Sequence, residues 1–221
     1  MIDGRRKFLS RFASPASLER LSRLSRQEVI FPFYHTVSEQ PLPHVSQLYT
    51  LRTEGEFEAD LEEMLKYYQA LSLKDYLEGT GLQNGKRYMV LSFDDGLVEC
   101  QNFIAPLLKK KGVPAAFFLN NHFIDNRGLF YRYKASLLIG KMKSDSKVLQ
   151  GVAAYLDVPE KRAVESILLI GHKQVSLLDT LLKESEIDVA GYLKERPVYM
   201  STKQVVELVD WGFEIGGHSP D

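Results

Sequence analysis

The sequence predicts an α/β protein built on a parallel sheet, and three observations carry that expectation. The run Tyr88-Met89-Val90-Leu91-Ser92-Phe93 is apolar almost throughout and not alternating, as in a strand covered on both faces within a parallel sheet or barrel. Around it the signals change in order. A helical pattern runs from Leu97 to Lys111 with Gly112 at its C-cap, and Pro114 opens a new strand through Ala115-Ala116-Phe117-Phe118-Leu119, an alternation that implies right-handed crossovers. From about Ile124 to Val198 strand signals stop, and apolar stripes at helical spacing take over, among them Leu137, Leu138, Val148, Leu149, Ile167, Leu168, Leu177, Leu178, Leu181 and Leu182.

The remaining elements follow in chain order. Val29 to Val37 reads as a first strand, with Pro32 placing it at an edge or a bulge. Thr53-Glu54-Gly55-Glu56 is a capping box opening a helix through Phe57, Leu61, Met64, Leu65 and Tyr68. Leu71 to Leu77 reads as a short strand turning into another helix, and Gly79 to Lys86 as the loop that leads into the central strand. Near the end, a short helix from Thr202 is stopped by Gly212, and a short strand, two glycines and His218 on a loop follow.

With 221 residues, 44% hydrophobic, 26% charged and 11% aromatic, the composition is that of a globular protein able to bury one substantial core. A formal net charge of -1 gives no global attraction to nucleic acid or anionic membrane. The lone Cys100 cannot form an internal disulfide and is expected to pack as a small hydrophobe on the helix after Gly96. Met1 to Phe12 is basic but leads into no apolar run long enough for a signal-peptide core, so a cytoplasmic location is expected. From Ser14-Pro15 a helix is expected through Leu18, Leu21 and Leu24, with Arg20, Arg23 and Arg26 on other faces. It reads either as a peripheral helix or as a basic peripheral contact with a membrane surface. Internal repeats, a Walker loop, a dinucleotide fingerprint and Cys-rich zinc spacing are all missing from the sequence.

The candidate chemistry sits where the central strand ends, at Asp94-Asp95-Gly96. Strands of parallel barrels carry function at their C-terminal ends. Adjacent side chains of a regular strand point to opposite faces, so the two acids share a pocket only if the strand breaks there. Gly96 permits such a break. Two acids in one site can divide tasks, one holding a cation and the other acting as a base. The same residues also read as a plain Asp-Gly turn capping the helix that follows.

Read with the end of the chain, Phe93-Asp94-Asp95-Gly96 and Gly212-Phe213-Glu214-Ile215-Gly216-Gly217-His218-Ser219 together resemble the NodB-homology polysaccharide deacetylases, carbohydrate esterase family 4. That family's first motif is Thr-Phe-Asp-Asp-Gly, and Ser92 stands here in place of the threonine. Its second is His-Ser/Thr-x-x-His after a Gly-x-Glu-Ile-Gly stretch, of which the sequence holds the part through Asp221. Tyr34-His35-x-Val37 and Ala115-Ala116-Phe117-Phe118-Leu119-Asn120 are also similar to family segments.

The resemblance implies a distorted (β/α) barrel of the polysaccharide deacetylase type. Its first half to two thirds would be residues 1–221, a single domain incomplete at the C-terminus with a helical insertion at 124–198. That insertion reads as a lid, a substrate-selecting wall, a dimer contact or inert packing. The resemblance further implies removal of N-acetyl groups from an N-acetylated glycan, polymeric or lipid-linked. Asp94 would be the catalytic base, and Asp95 and His218 would be ligands of a divalent metal, usually zinc, together with a second histidine. His35 would line the substrate site. His122 and His172 are assigned no role. The family's later motifs, including a Leu-x-His that protonates the leaving amine, have no counterpart in these residues, so the 221-residue chain alone is expected to be inactive. A catalytically incomplete carbohydrate-binding or scaffold protein on the same fold is the alternative. A phosphatase is the weaker rival, since the haloacid-dehalogenase type spaces its acids Asp-x-Asp.

Overall fold

The structure, a computed structural model, describes residues 27–218. The basic helix expected from Ser14-Pro15 lies outside these residues, as do Ser219 to Asp221.

Two parallel sheets grow from one pair of neighbouring segments. The first expected strand divides into β1 (Val29–Ile30) and β2 (Phe33–Tyr34) around Phe31-Pro32. The central strand divides at Val90 into β4 (Tyr88–Met89) and β5 (Leu91–Asp95). Hydrogen bonding runs on across both divisions, Val90 N donating to Ile30 O at 3.0 Å and Ser92 N to Pro32 O at 3.2 Å. What changes at Val90 is the neighbour on the other side. Before it β4 pairs with β3 (Gln69–Ala70), giving the order β1-β4-β3; beyond it β5 pairs with β6 (Ala115–Leu119), which pairs with β7 (Glu214–Gly217), giving β2-β5-β6-β7. Every pairing between these strands is parallel. The expectation of parallel sheet is therefore met by two sheets, but no strand pairing among the described residues closes β7 onto β3 into a barrel. A side chain spans that gap instead: the Glu214 carboxylate accepts from Leu73 N at 2.8 Å and Lys74 N at 2.7 Å, at the start of α2 (Leu73–Glu78).

The helix preceding β3, α1 (Glu54–Leu65), opens on the expected capping box, Thr53 Oγ1 accepting from Glu56 N at 3.1 Å and Glu56 Oε2 from Thr53 N at 2.9 Å. Phe57, Leu61 and Met64 form its buried face. The helix expected from Leu97 is not regular. It begins as a wide π turn, Cys100–Ile104, and becomes α-helical in α3 (Ala105–Lys111), which ends at Gly112 with φ 65°. Pro106 accounts for this, because it cannot donate to the carbonyl four residues back and its ring crowds that carbonyl.

These helices close over an aromatic core. Phe93 stacks on Phe117 with ring centroids 5.1 Å apart, while Phe57 and Phe213 meet these rings edge-on at 5.9 and 5.4 Å. Such pairs each add about 0.5–1.5 kcal/mol beyond the area they bury. Cys100 is fully buried in the same core and unpaired.

Residues 131–195 are helical: α4 (Tyr131–Ser144), α5 (Ser146–Tyr155), α6 (Glu160–Leu168), α7 (Val175–Glu184) and α8 (Val189–Glu195). They bury a core of their own around Leu138, Met142, Ile167, Leu178 and Leu181. One stretch of α4 faces elsewhere, with Tyr133 and Leu137 packed on Leu97, Val198 and Tyr199 beside the sheet. The chain returns through α9 (Thr202–Asp210), capped by Ser201 and Gln204, into β7. Among the described residues no helix is long and apolar enough to cross a membrane.

Candidate active site

The strand register assembles the two distant motifs. β5 pairs Asp95 with Leu119, and β6 pairs Leu119 with Gly217, so the C-terminal ends of three parallel strands finish level. The strand expected before the two glycines in fact runs through both of them. His218, expected on a loop, is held at the strand end by its own N–H, which donates to Leu119 O at 2.9 Å. Gly216 makes this approach feasible, because a Cβ there would stand 2.7 Å from the Phe118 ring.

The chain breaks where the acids need it to, one residue earlier than Gly96 alone implied. Asp95 has φ 71° and Gly96 φ 73°. Aspartate is among the few non-glycine residues that tolerate this region. At Gly96 a side chain would also meet Leu119 Cδ2 at 3.1 Å. The consequence is two acids in different settings. Asp94 is half-buried and Asp95 buried. Asp95 Oδ1 lies 3.7 Å from His218 Nε2, and Asp95 Oδ2 accepts the Tyr133 hydroxyl at 2.5 Å. The helix that follows receives no side-chain cap, so a capping turn is not what these carboxylates provide.

Burial, the largest influence, pushes the Asp94 carboxyl above the usual carboxylate range; His218 and then His35 pull it back, and Asp95 adds to the rise. His35 follows β2 directly, half-buried, its ring 5.1 Å from that of Tyr49. Its backbone carbonyl accepts from Cys100 Sγ at 3.6 Å. Further in, Thr36 donates to Glu99 at 3.3 Å, and burial also raises the Glu99 carboxyl.

A wall of aromatic and polar side chains backs the pair of acids, and sequence reasoning found none of it. Tyr133 comes from α4 and Tyr49 from the loop before α1. Burial drives both phenols well above their ordinary pKa, so each stays a protonated donor. The buried Tyr49 hydroxyl lies beside Tyr133 without a well-formed hydrogen bond among the described residues. Tyr199 accepts Phe130 N at 3.1 Å. His44, 1% exposed, packs edge-on against Tyr133 at 5.4 Å and meets the Tyr192 hydroxyl through Nδ1 at 2.8 Å. Asn120, next after β6, is buried with its Oδ1 unpaired among the described residues. His122 is exposed, and His172 sits at the far side of α4 against Tyr131, centroids 6.1 Å apart; neither joins the site. A buried tyrosine from a helical segment has no spacing relation to Asp-Asp-Gly, so no sequence signal announced Tyr133.

Comparison with known proteins finds a family resemblance over part of the chain. The family model described as polysaccharide deacetylase matches residues 81–150, about a third of the chain. The match covers the Asp94-Asp95 motif and stops before His218. Residues 81–150 are thus similar to the polysaccharide deacetylase family. Among solved structures it is similar to the Streptococcus pyogenes deacetylase PplD in complex with acetate, at 17% identity and TM-score 0.39, covering 49% of this chain and 51% of that one. It is also similar to IcaB from Ammonifex degensii (17%, TM-score 0.38, 51% and 49%) and to a de-N-acetylase from Aggregatibacter actinomycetemcomitans (24%, TM-score 0.36, 44% and 39%). The chain spans about half or less of the length of these structures. No curated protein sequence matches it.

Proposed function

We propose that this chain is part of a metal-dependent deacetylase that removes N-acetyl groups from an N-acetylated sugar, in a polysaccharide or a lipid-linked glycan. The observation that carries the reading is the meeting of the two motifs: Asp94 and Asp95 at the end of β5 and His218 at the end of β7, with Asp95 Oδ1 facing His218 Nε2 at 3.7 Å.

That pair fits part of a zinc site. Two ligands each about 2.1 Å from a tetrahedral ion stand about 3.4 Å apart, and zinc takes carboxylate oxygen with imidazole nitrogen. Asp95 and His218 would hold the ion. Among the described residues no group of three His, Cys, Asp or Glu side chains converges, so a third protein ligand would come from outside them. A bound zinc supplies a polarised amide carbonyl and a water made acidic near neutral pH.

Asp94 takes the proton from the attacking water. It is the acid that Tyr133 leaves unengaged, and a carboxyl raised by burial is a better base than one at the usual value. His35, beside Asp94 across β2 and β5, lines the floor on which the sugar would sit.

The test is acetate release from N-acetylglucosamine oligomers by the full native protein, with and without a chelator. Chelator-sensitive release is the expected result. Retention of the oligomers without acetate release would defeat the hydrolase reading and leave a carbohydrate-binding protein on the same fold.

A further inference from the structure

Resting on that reading, we propose that Tyr133 is a positioning residue: the helical segment delivers its hydroxyl to Asp95 Oδ2 and so holds Oδ1 toward His218. The geometry is specific. Tyr133 is 1% exposed, in the first turn of α4, and its hydroxyl donates to Asp95 Oδ2 at 2.5 Å. The other oxygen of that carboxylate is the one 3.7 Å from His218 Nε2. Asp95, at φ 71°, is paired with a strand on one side only, through Leu119, so the orientation of its carboxylate depends on what its oxygens bind.

Tyr133 is itself held from several directions. Phe130 packs edge-on at 5.6 Å, His44 at 5.4 Å, and Tyr199 lies tilted at 6.3 Å. Its backbone N–H donates to Phe130 O at 2.9 Å, which anchors the start of α4. A phenol packed by three rings and bonded to one oxygen of a carboxylate is the arrangement by which outer groups orient a metal ligand. The helical segment is then more than covering: its first turn sets the site, and displacement of α4 would turn Asp95.

The experiment compares the full native protein with its Tyr133→Phe variant, which keeps the ring and removes the donor. Zinc affinity is read by competition with a chromogenic chelator, and cobalt-substituted protein is read by its visible d–d spectrum. The expected outcome is a 10- to 100-fold weaker zinc affinity and an altered cobalt spectrum, in a metal-free variant that still melts cooperatively. A purely structural tyrosine would lower the melting temperature and leave the affinity of the folded protein unchanged, which overturns the proposal. A native protein that binds no zinc overturns the deacetylase reading and this inference together; a native protein and a variant that bind zinc equally overturn only the role of Tyr133. If the variant does not fold, the native protein labelled with 13Cζ-tyrosine is titrated with zinc. One buried tyrosine resonance should then shift, and the absence of any shift would refute the coupling.

Discussion

Acid should loosen the junction between the loop at His44 and α8. His44 is 1% exposed, and burial, then the positive charge of Arg196, holds its pKa down from 6.5 to about 4. The folded protein therefore keeps the ring neutral, while the unfolded chain takes up a proton near pH 6.5. Because the folded value is the depressed one, this contribution to stability is intact above pH 6.5 and is lost as pH falls toward 4. At 1.36 kcal/mol per pH unit between those values, the loss approaches about 3 kcal/mol. Urea unfolding followed by circular dichroism in the presence of chelator, at pH 7.0 and at steps down to 4.5, measures it. Any other group that titrates over these steps does so in a comparison protein as well. The decisive quantity is thus the difference between wild type and His44→Gln, whose amide can also meet the Tyr192 hydroxyl. Wild type should lose roughly 2 kcal/mol more than the variant on going from pH 7.0 to 4.5. Parallel stability curves for the two proteins would show that His44 is not carried neutral by its surroundings.

Three further outcomes are expected. Gly96→Ala places a side chain at φ 73° and within 3.1 Å of Leu119 Cδ2, so it should destabilise the fold by about 1–2 kcal/mol, and a loss below about 0.5 kcal/mol in chemical denaturation would contradict the strain argument. Phe117→Ala empties the centre of the stacked core and should cost about 3–5 kcal/mol, read the same way. In the full native protein Asp94→Asn should keep zinc and lower turnover by about 10²- to 10⁴-fold, whereas Asp95→Ala should lose zinc as well; undiminished turnover with equal zinc in both would sink the division of roles between the two acids.

Local chemistry was legible in the sequence wherever its cause lies within a few residues. The capping box at Thr53 and Glu56 closes as expected because both partners sit on one helical turn. Gly112 and Gly212 end their helices at positive φ, since only the last turn decides that. The doubled acid after a buried strand marked the candidate site, because strand, break and carboxylates are contiguous. Pro106 was equally visible, but its effect, a π turn in place of a regular helix start, depends on how the turn before it widens.

What the tertiary structure alone decided are relations between segments far apart in the chain. The division of the central strand at Val90 exists because β4 has β3 beside it and β5 has β6, and no residue in that apolar run encodes which neighbour comes when. Glu214, a motif residue in the sequence, proved to accept two backbone N–H groups of α2. The orientation of Asp95 rests on Tyr133, a residue whose burial against His44, Phe130 and Tyr199 follows from packing a helix onto the sheet end. Hydrophobic patterning says that such a helix has a buried face. It does not say which phenol on that face will find a carboxylate, because that depends on side-chain directions across an interface that forms only when the chain is folded.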